Sequence, residues 1–209
     1  MTMLKLLIFD CDGVLFDSRE ANRAYYNRIR EEFSLPPLDE DELQYVHMHA
    51  AEDSVRYIFR DHPHLLKEAL SFQKRLDYAG FLPLLTPEPG LKELIEEVRP
   101  PLKTAISTNR STTMPALREI FRLDELFDLI VCALDVERPK PHPEGVRKIL
   151  AHFRTRPEEA LYIGDTQVDE AVARAAGIPL VAYKNRDLSA AYHVSSFAEL
   201  LPIIRGLLA

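Results

Sequence analysis

Two cysteines in 209 residues are too few for a disulfide framework or a cysteine zinc site. Both Cys11 and Cys132 lie in apolar strand contexts, where cysteine behaves as a small hydrophobe. Positive charge is also scarce, since 26 Lys and Arg against 33 Asp and Glu give a formal net charge of -7, with no run of like charges. Nonspecific nucleic-acid binding and anionic-membrane binding both need concentrated cations, so neither partner is expected. No apolar run reaches the roughly 18 residues of a membrane span. The N-terminal apolar stretch is too short for a signal h-region, and a cytoplasmic location is expected. Internal repeats and low-complexity segments are lacking too. What remains is a globular chain, 46% hydrophobic, long enough for one sizeable domain or a core with a smaller insert.

The chain is organised around residues 4 to 18, where the apolar run Leu6 to Phe9 stops at two carboxylates, Asp10 and Asp12, with Gly13 after them. A short β-preferring run apolar at every position fits a strand buried on both faces, as in a parallel sheet. Its carboxyl end, where ligands bind in open α/β sheets, carries the acids. The next stretch is helical in composition over 19–33, 39–48, 51–60 and 63–78, broken at Pro36-Pro37, near His49 and at His62-Pro63. Asp17 with Glu20 has capping-box spacing for the first of these helices. No strand is expected between Val14 and Leu102. So long a helical insert is unlike a plain βαβ crossover and reads as a separate lid, with Leu82 to Gly90 as the returning linker. From Lys103 the chain alternates strand and helix, which predicts a doubly wound parallel sheet.

Each later strand ends in groups with chemical potential. Ser107-Thr108-Asn109 supply hydroxyl and amide donors for a phosphate oxygen. Lys140 stands between Pro139 and Pro141, whose rings restrict the loop presenting its ammonium. Gly164-Asp165 follows Leu161-Tyr162-Ile163, and Asp169 lies about one helical turn on. Carboxylates at Asp10, Asp12, Asp165 and Asp169 facing one another call for a divalent cation, and an oxygen-rich set suits Mg²⁺. An anion site, a hard cation and a nucleophilic carboxylate together describe phosphoryl transfer.

These motifs, Asp10-x-Asp12-Gly13, Thr108-Asn109, Lys140-Pro141 and Gly164-Asp165-x-x-x-Asp169, resemble in kind and order those of the haloacid dehalogenase-like phosphohydrolases. The resemblance implies a Rossmann-like core over 1–16 and 84–209 with an inserted α-helical cap over 17–83, as in phosphoglycolate phosphatases and β-phosphoglucomutases. It also implies that Asp10 is the nucleophile, that Asp12 is the general acid and base, and that Thr108, Asn109 and Lys140 bind phosphate. Mg²⁺ is expected on Asp10, on the backbone carbonyl of Asp12 and on Asp165, with Asp169 in the metal shell or orienting Lys140. The expected activity is Mg²⁺-dependent hydrolysis of the phosphate monoester of a small metabolite, by a monomer or homodimer. A sugar phosphomutase uses the same residues and is the alternative. A phosphoacceptor of the receiver type needs no helical lid, and a silent binding module does not need intact motifs. Dehalogenation is disfavoured because the family's dehalogenases lack a carboxylate at the position of Asp12. In the lid, Val46 to Glu52 occupies the place of the family's specificity loop without its usual glycine, and His47, His49 and Arg56 are candidate substrate contacts.

Overall fold

The computed structural model describes residues 3–49 and 51–208. Ala50, in the expected specificity stretch, and the Met48 side chain lie outside what is described. In chain order the elements are β1 (Leu6–Phe9), β2 (Phe16–Asp17), α1 (Arg19–Glu32), α2 (Glu40–Met48), α3 (Ala51–Ile58) and α4 (Leu66–Arg75). A 3-10 turn over Tyr78–Leu84 leads to β3 (Thr86–Pro87), α5 (Leu91–Val98), β4 (Lys103–Ser107), α6 (Met114–Phe121), α7 (Leu123–Leu126) and β5 (Leu129–Val131). Then come α8 (Glu144–Phe153), β6 (Ala160–Gly164), α9 (Gln167–Ala176), β7 (Leu180–Tyr183), β8 (Tyr192–Val194) and α10 (Phe197–Leu208).

The chain divides into two compact units, Met1–Phe16 with Pro87–Ala209, and Asp17–Thr86. In the first, six strands form one sheet in the order β5-β4-β1-β6-β7-β8, and every recorded pairing is parallel. The sheet is the doubly wound one that the alternation predicts. β1 is central, and its four residues are wholly buried. The pleat sends Leu6 and Ile8 to one face, into a cluster with Val146 and Ile149 of α8 and Val172 of α9. Phe9 points the other way, with its ring 5.7 Å from Phe127 and 6.2 Å from Phe197 of α10. Each such apolar side chain contributes about 1.5–3 kcal/mol on burial, which makes β1 the keel of the unit.

Register places the site. Phe9 lies opposite Ile106 of β4 and Ile163 of β6, so the residues after these three strands emerge at one edge of the sheet. The order switches there: β4 and β5 lie to one side of β1, and β6, β7 and β8 to the other. Such a switch opens a crevice at the carboxyl ends of the strands.

The second unit is helical, with a core of its own in which Tyr25, Tyr26 and Ile29 of α1 meet Leu43, Val55, Phe59 and Ala69. Its α2 begins with a capping box between Asp39 and Glu42. The box expected from Asp17 and Glu20 does not form. Asp17 accepts instead from the N–H of Arg19 at 2.8 Å, and Glu20 bonds Arg23 along the helix at 3.3 Å. The expectation of no strand between Val14 and Leu102 is corrected by β2 and β3, which form a two-stranded sheet. Strands of two residues carry no period to read in a sequence.

Candidate active site

β1 runs directly into Asp10, whose N–H prolongs the ladder by donating to the Ile163 carbonyl at 2.9 Å. The turn that follows closes through Leu15 N–H to the Cys11 carbonyl, 2.9 Å. Gly13 in that turn has φ +79, and a Cβ on it would lie 2.1 Å from Asp165 Oδ2. Both backbone conformation and close approach therefore demand glycine. Across the edge, Gly164 gives the same closeness to α9, since its Cβ would sit 2.4 Å from that of Asp169.

Asp169 is the most restrained of the carboxylates. It is fully buried and completes the capping box of α9, accepting on Oδ2 from Thr166 Oγ1 at 2.6 Å and from Thr166 N–H at 3.2 Å. Its Oδ1 accepts from the Tyr162 hydroxyl at 2.9 Å and from Lys140 Nζ at 2.8 Å. Lys140 Nζ donates as well to Asp10 Oδ1 at 2.6 Å and to Tyr162 Oη at 3.1 Å, which occupies all three of its N–H groups. Asn109 fixes the loop that delivers this lysine, since its side-chain carbonyl accepts from Lys140 N–H at 2.9 Å and its amide donates to the Lys140 carbonyl at 3.0 Å.

Asp10, Asp165 and Asp169 each offer an oxygen within 4.8 Å of the others. Asp165 Oδ1 is buried with no hydrogen-bond partner among the described residues. Burial pushes Asp10 up to about 7, opposed by Lys140 and reinforced by Asp169. Burial also pushes Asp165 up to about 7, helped by the charges of Asp10 and Asp169. For Asp169 burial works in the same direction, yet Lys140 and its hydrogen bonds hold it below the ordinary carboxylate range. Lys140 is lowered by burial but carried well above its ordinary value by Asp10, Tyr162 and Asp169. One ammonium thus bonds two buried carboxylates, Asp10 and Asp169, and its charge also reaches Asp165. The all-oxygen donor set and the orphaned Asp165 oxygen fit a divalent cation.

The structure brings Asp10, Lys140, Asp165 and Asp169 into one cluster. The Asp12 carboxylate turns elsewhere, to Arg110, whose Nε donates to Oδ2 at 2.8 Å and whose Nη2 donates to Oδ1 at 2.5 Å. Thr108 is buried, and its Oγ1 accepts from Arg110 N–H at 3.0 Å, so its own hydroxyl proton is left to donate. His47, His49 and Arg56 all belong to the helical unit. His47 Nδ1 is 3.4 Å from Asn22 Nδ2, His49 donates to the Tyr45 carbonyl at 2.8 Å while stacking on that ring, and Arg56 donates to Glu52 at 2.6 Å. Cys11 is wholly buried, and burial with the Asp12 charge pushes its thiol well up, as befits a packing residue.

Three participants escape a sequence reading. Arg110 directly follows Thr108-Asn109, but nothing local says that it reaches Asp12. Tyr162 carries a signal, because a phenol in an otherwise aliphatic buried strand needs a partner for its hydroxyl. Asn185 donates to the Asp165 carbonyl at 2.8 Å from twenty residues away, and has none.

Known proteins share the sequence pattern and the fold. The sequence pattern of the family described as haloacid dehalogenase-like hydrolase matches residues 7–183. The chain is 28% identical to a pyrophosphatase PpaX of Bacillus cereus, over 98% of each chain. A haloacid dehalogenase-superfamily hydrolase of subfamily IA from Geobacter sulfurreducens superposes with a TM-score of 0.88 at 38% identity, covering 96% of both chains. CbbY of Rhodobacter sphaeroides, solved in complex with phosphate, shares the fold with a TM-score of 0.70 at 22% identity, over 95% of this chain and 96% of that one.

Proposed function

The chain belongs to the haloacid dehalogenase-like hydrolases, and from that premise we propose that it is a Mg²⁺-dependent phosphatase acting on the phosphate monoester of a small metabolite. The observation that carries the reading is the buried cluster: Asp10 touches Lys140 and shares a carboxylate triangle in which Asp165 Oδ1 is buried and has no hydrogen-bond partner among the described residues. Asp10, Asp165 and the backbone carbonyl of Asp12 would hold Mg²⁺, with Asp169 behind them. Bound there, the cation supplies the positive charge that lets a phosphate dianion approach buried carboxylates.

An oxygen of Asp10 attacks phosphorus in line, forming an O–P bond as the bond to the leaving oxygen breaks. The departing electron pair stays on that oxygen, which takes a proton from the Asp12 carboxyl. Lys140 and Thr108 orient the phosphoryl oxygens. In the second half water attacks the aspartyl phosphate, Asp12 takes the water proton, and the Asp10 carboxylate is released with inorganic phosphate. The unit Asp17–Thr86 serves as the cap that selects the substrate, with His47, His49 and Arg56 as its candidate anion contacts.

The likeness to a protein named pyrophosphatase over 98% of both chains supports a second substrate reading, in which the leaving group is itself a phosphate. Inorganic phosphate release from small monoesters and from pyrophosphate, with Mg²⁺ and with excess chelator, separates the two. Acyl phosphate trapped from an activated aryl phosphate should map to Asp10 and vanish in Asp10→Asn. Turnover indifferent to chelator sinks the metal assignment, and label on Asp12 sinks the nucleophile. Faster turnover of pyrophosphate than of every monoester selects the anhydride.

A further inference from the structure

We infer that Arg110 is a positioning residue for Asp12. The inference rests on the reading above, in which Asp12 passes a proton to the leaving oxygen. Asp12 stands in the turn after β1 with its side chain 42% exposed, and the Arg110 guanidinium is the one hydrogen-bond partner recorded for its carboxylate among the described residues. Unrestrained, such a side chain turns about two torsions and exchanges rotamers freely. Proton transfer needs heavy atoms roughly 2.6–3.2 Å apart in a defined direction, so free rotation is costly for a general acid.

Arg110 removes that freedom by its geometry as well as by its charge. It takes both carboxylate oxygens side-on through Nε and Nη2, a planar fork that fixes the plane of the carboxylate. The fork engages two of the about four lone-pair directions on the carboxylate, and those remaining face away from the guanidinium. Arg110 is itself held at several points. Its side chain is only 9% exposed, its N–H donates to Thr108 Oγ1 at 3.0 Å, and its carbonyl accepts from Ala133 N–H at 2.9 Å. Nη1 adds a contact to Thr113 Oγ1 at 3.4 Å. The residue that directly follows the Thr108-Asn109 pair after β4 thereby fixes the orientation of Asp12, three residues after the end of β1.

The test compares two esters that differ in their need for an acid. A primary alkyl phosphate cannot lose its alkoxide without a proton, whereas 4-nitrophenyl phosphate can. Arg110→Gln and Arg110→Lys should each lose at least about tenfold more kcat/KM, which reports phosphoryl transfer to Asp10 and not the hydrolysis step that both esters share, on the alkyl ester than on the aryl ester, part of the ~10²–10⁴ that a positioned acid supplies. Lysine keeps the positive charge without the fork, so it should resemble glutamine rather than wild type. In the Asp12→Asn background Arg110→Gln should cost nothing further on the alkyl ester. Equal losses on both esters would mean that Arg110 serves only the fold and would overturn the inference, as would rescue of the alkyl ester by lysine. Asp12→Asn alone guards the premise. If it shows no preference between the esters, the acid role of Asp12 fails and the inference with it, whereas a preference there but not in the Arg110 variants removes the inference alone. Thermal unfolding accompanies each variant, and Arg110→Lys decides by itself if the glutamine variant does not fold.

Discussion

Asp165 buries an oxygen that has no hydrogen-bond partner among the described residues, an arrangement that costs on the order of 1–3 kcal/mol unless a partner arrives. The proposed Mg²⁺ would be that partner, and stability should report it through pH. Burial first, and neighbouring carboxylates next, raise Asp165 from 3.8 to about 7, while Asp10 rises to the same value. Between those two values the folded chain keeps protons that the unfolded chain has released, so stability falls as pH rises through the window and stays low above it. In chelator, the wild-type protein should therefore melt at a lower temperature at pH 8 than at pH 6, and Asp165→Asn should flatten that difference. Added Mg²⁺ should raise the wild-type melting temperature more at pH 8 than at pH 6, because the ligands must be ionised to bind. A variant whose pH profile follows wild type would show that Asp165 is not the residue carrying the shift.

At the scale of elements, the strands deliver the chemistry and two glycines let them come close enough. Gly164 ends β6 where a Cβ would overlap that of Asp169, a buried residue with no room to retreat. Gly164→Ala should destabilise by about 1–3 kcal/mol through overpacking, read from denaturant unfolding, and should lower activity further by moving Asp169 off Lys140. Unchanged stability would mean that the start of α9 can shift. The central strands are legible in the sequence because each is a short apolar run that ends on a polar residue, and these endings are most of the candidate site. β8 over Tyr192–Val194 and α7 over Leu123–Leu126 are not, being too short to establish a period. Capping is legible only in part, because Asp17 and Glu20 have the same spacing as Asp39 and Glu42 yet only the second pair closes. Arg110 and Asp12 are 98 residues apart, and it is the pairing of β1 with β4 that brings their regions of the chain together. No local pattern encodes that contact.

The whole molecule is two units with separate cores, and that separateness is testable. The sheet cluster draws on β1, β4 to β7, α8 and α9, whereas the helical cluster is confined to residues between Tyr25 and Phe81. The chain leaves the first unit after Phe16 and re-enters it at Pro87, and the Leu15 carbonyl accepts from Glu88 N–H at 2.9 Å, so the two crossings are neighbours. A linker of a few residues can therefore replace Asp17–Thr86 without stretching the first unit, which stays within the about 100–150 residues usual for a domain. The shortened protein should unfold in one cooperative thermal transition, since every strand of the parallel sheet and its covering helices remain. If the removed unit is the cap proposed above, 4-nitrophenyl phosphate should still be hydrolysed with Mg²⁺, because Asp10, Asp12, Lys140 and Asp165 all lie in the unit that is kept. Discrimination among small physiological phosphates should then collapse, with their kcat/KM values converging as the surface that selects them is lost. A shortened protein that folds and still ranks those substrates as the full chain does would place specificity in the strand-end loops, and His47, His49 and Arg56 would lose their candidacy.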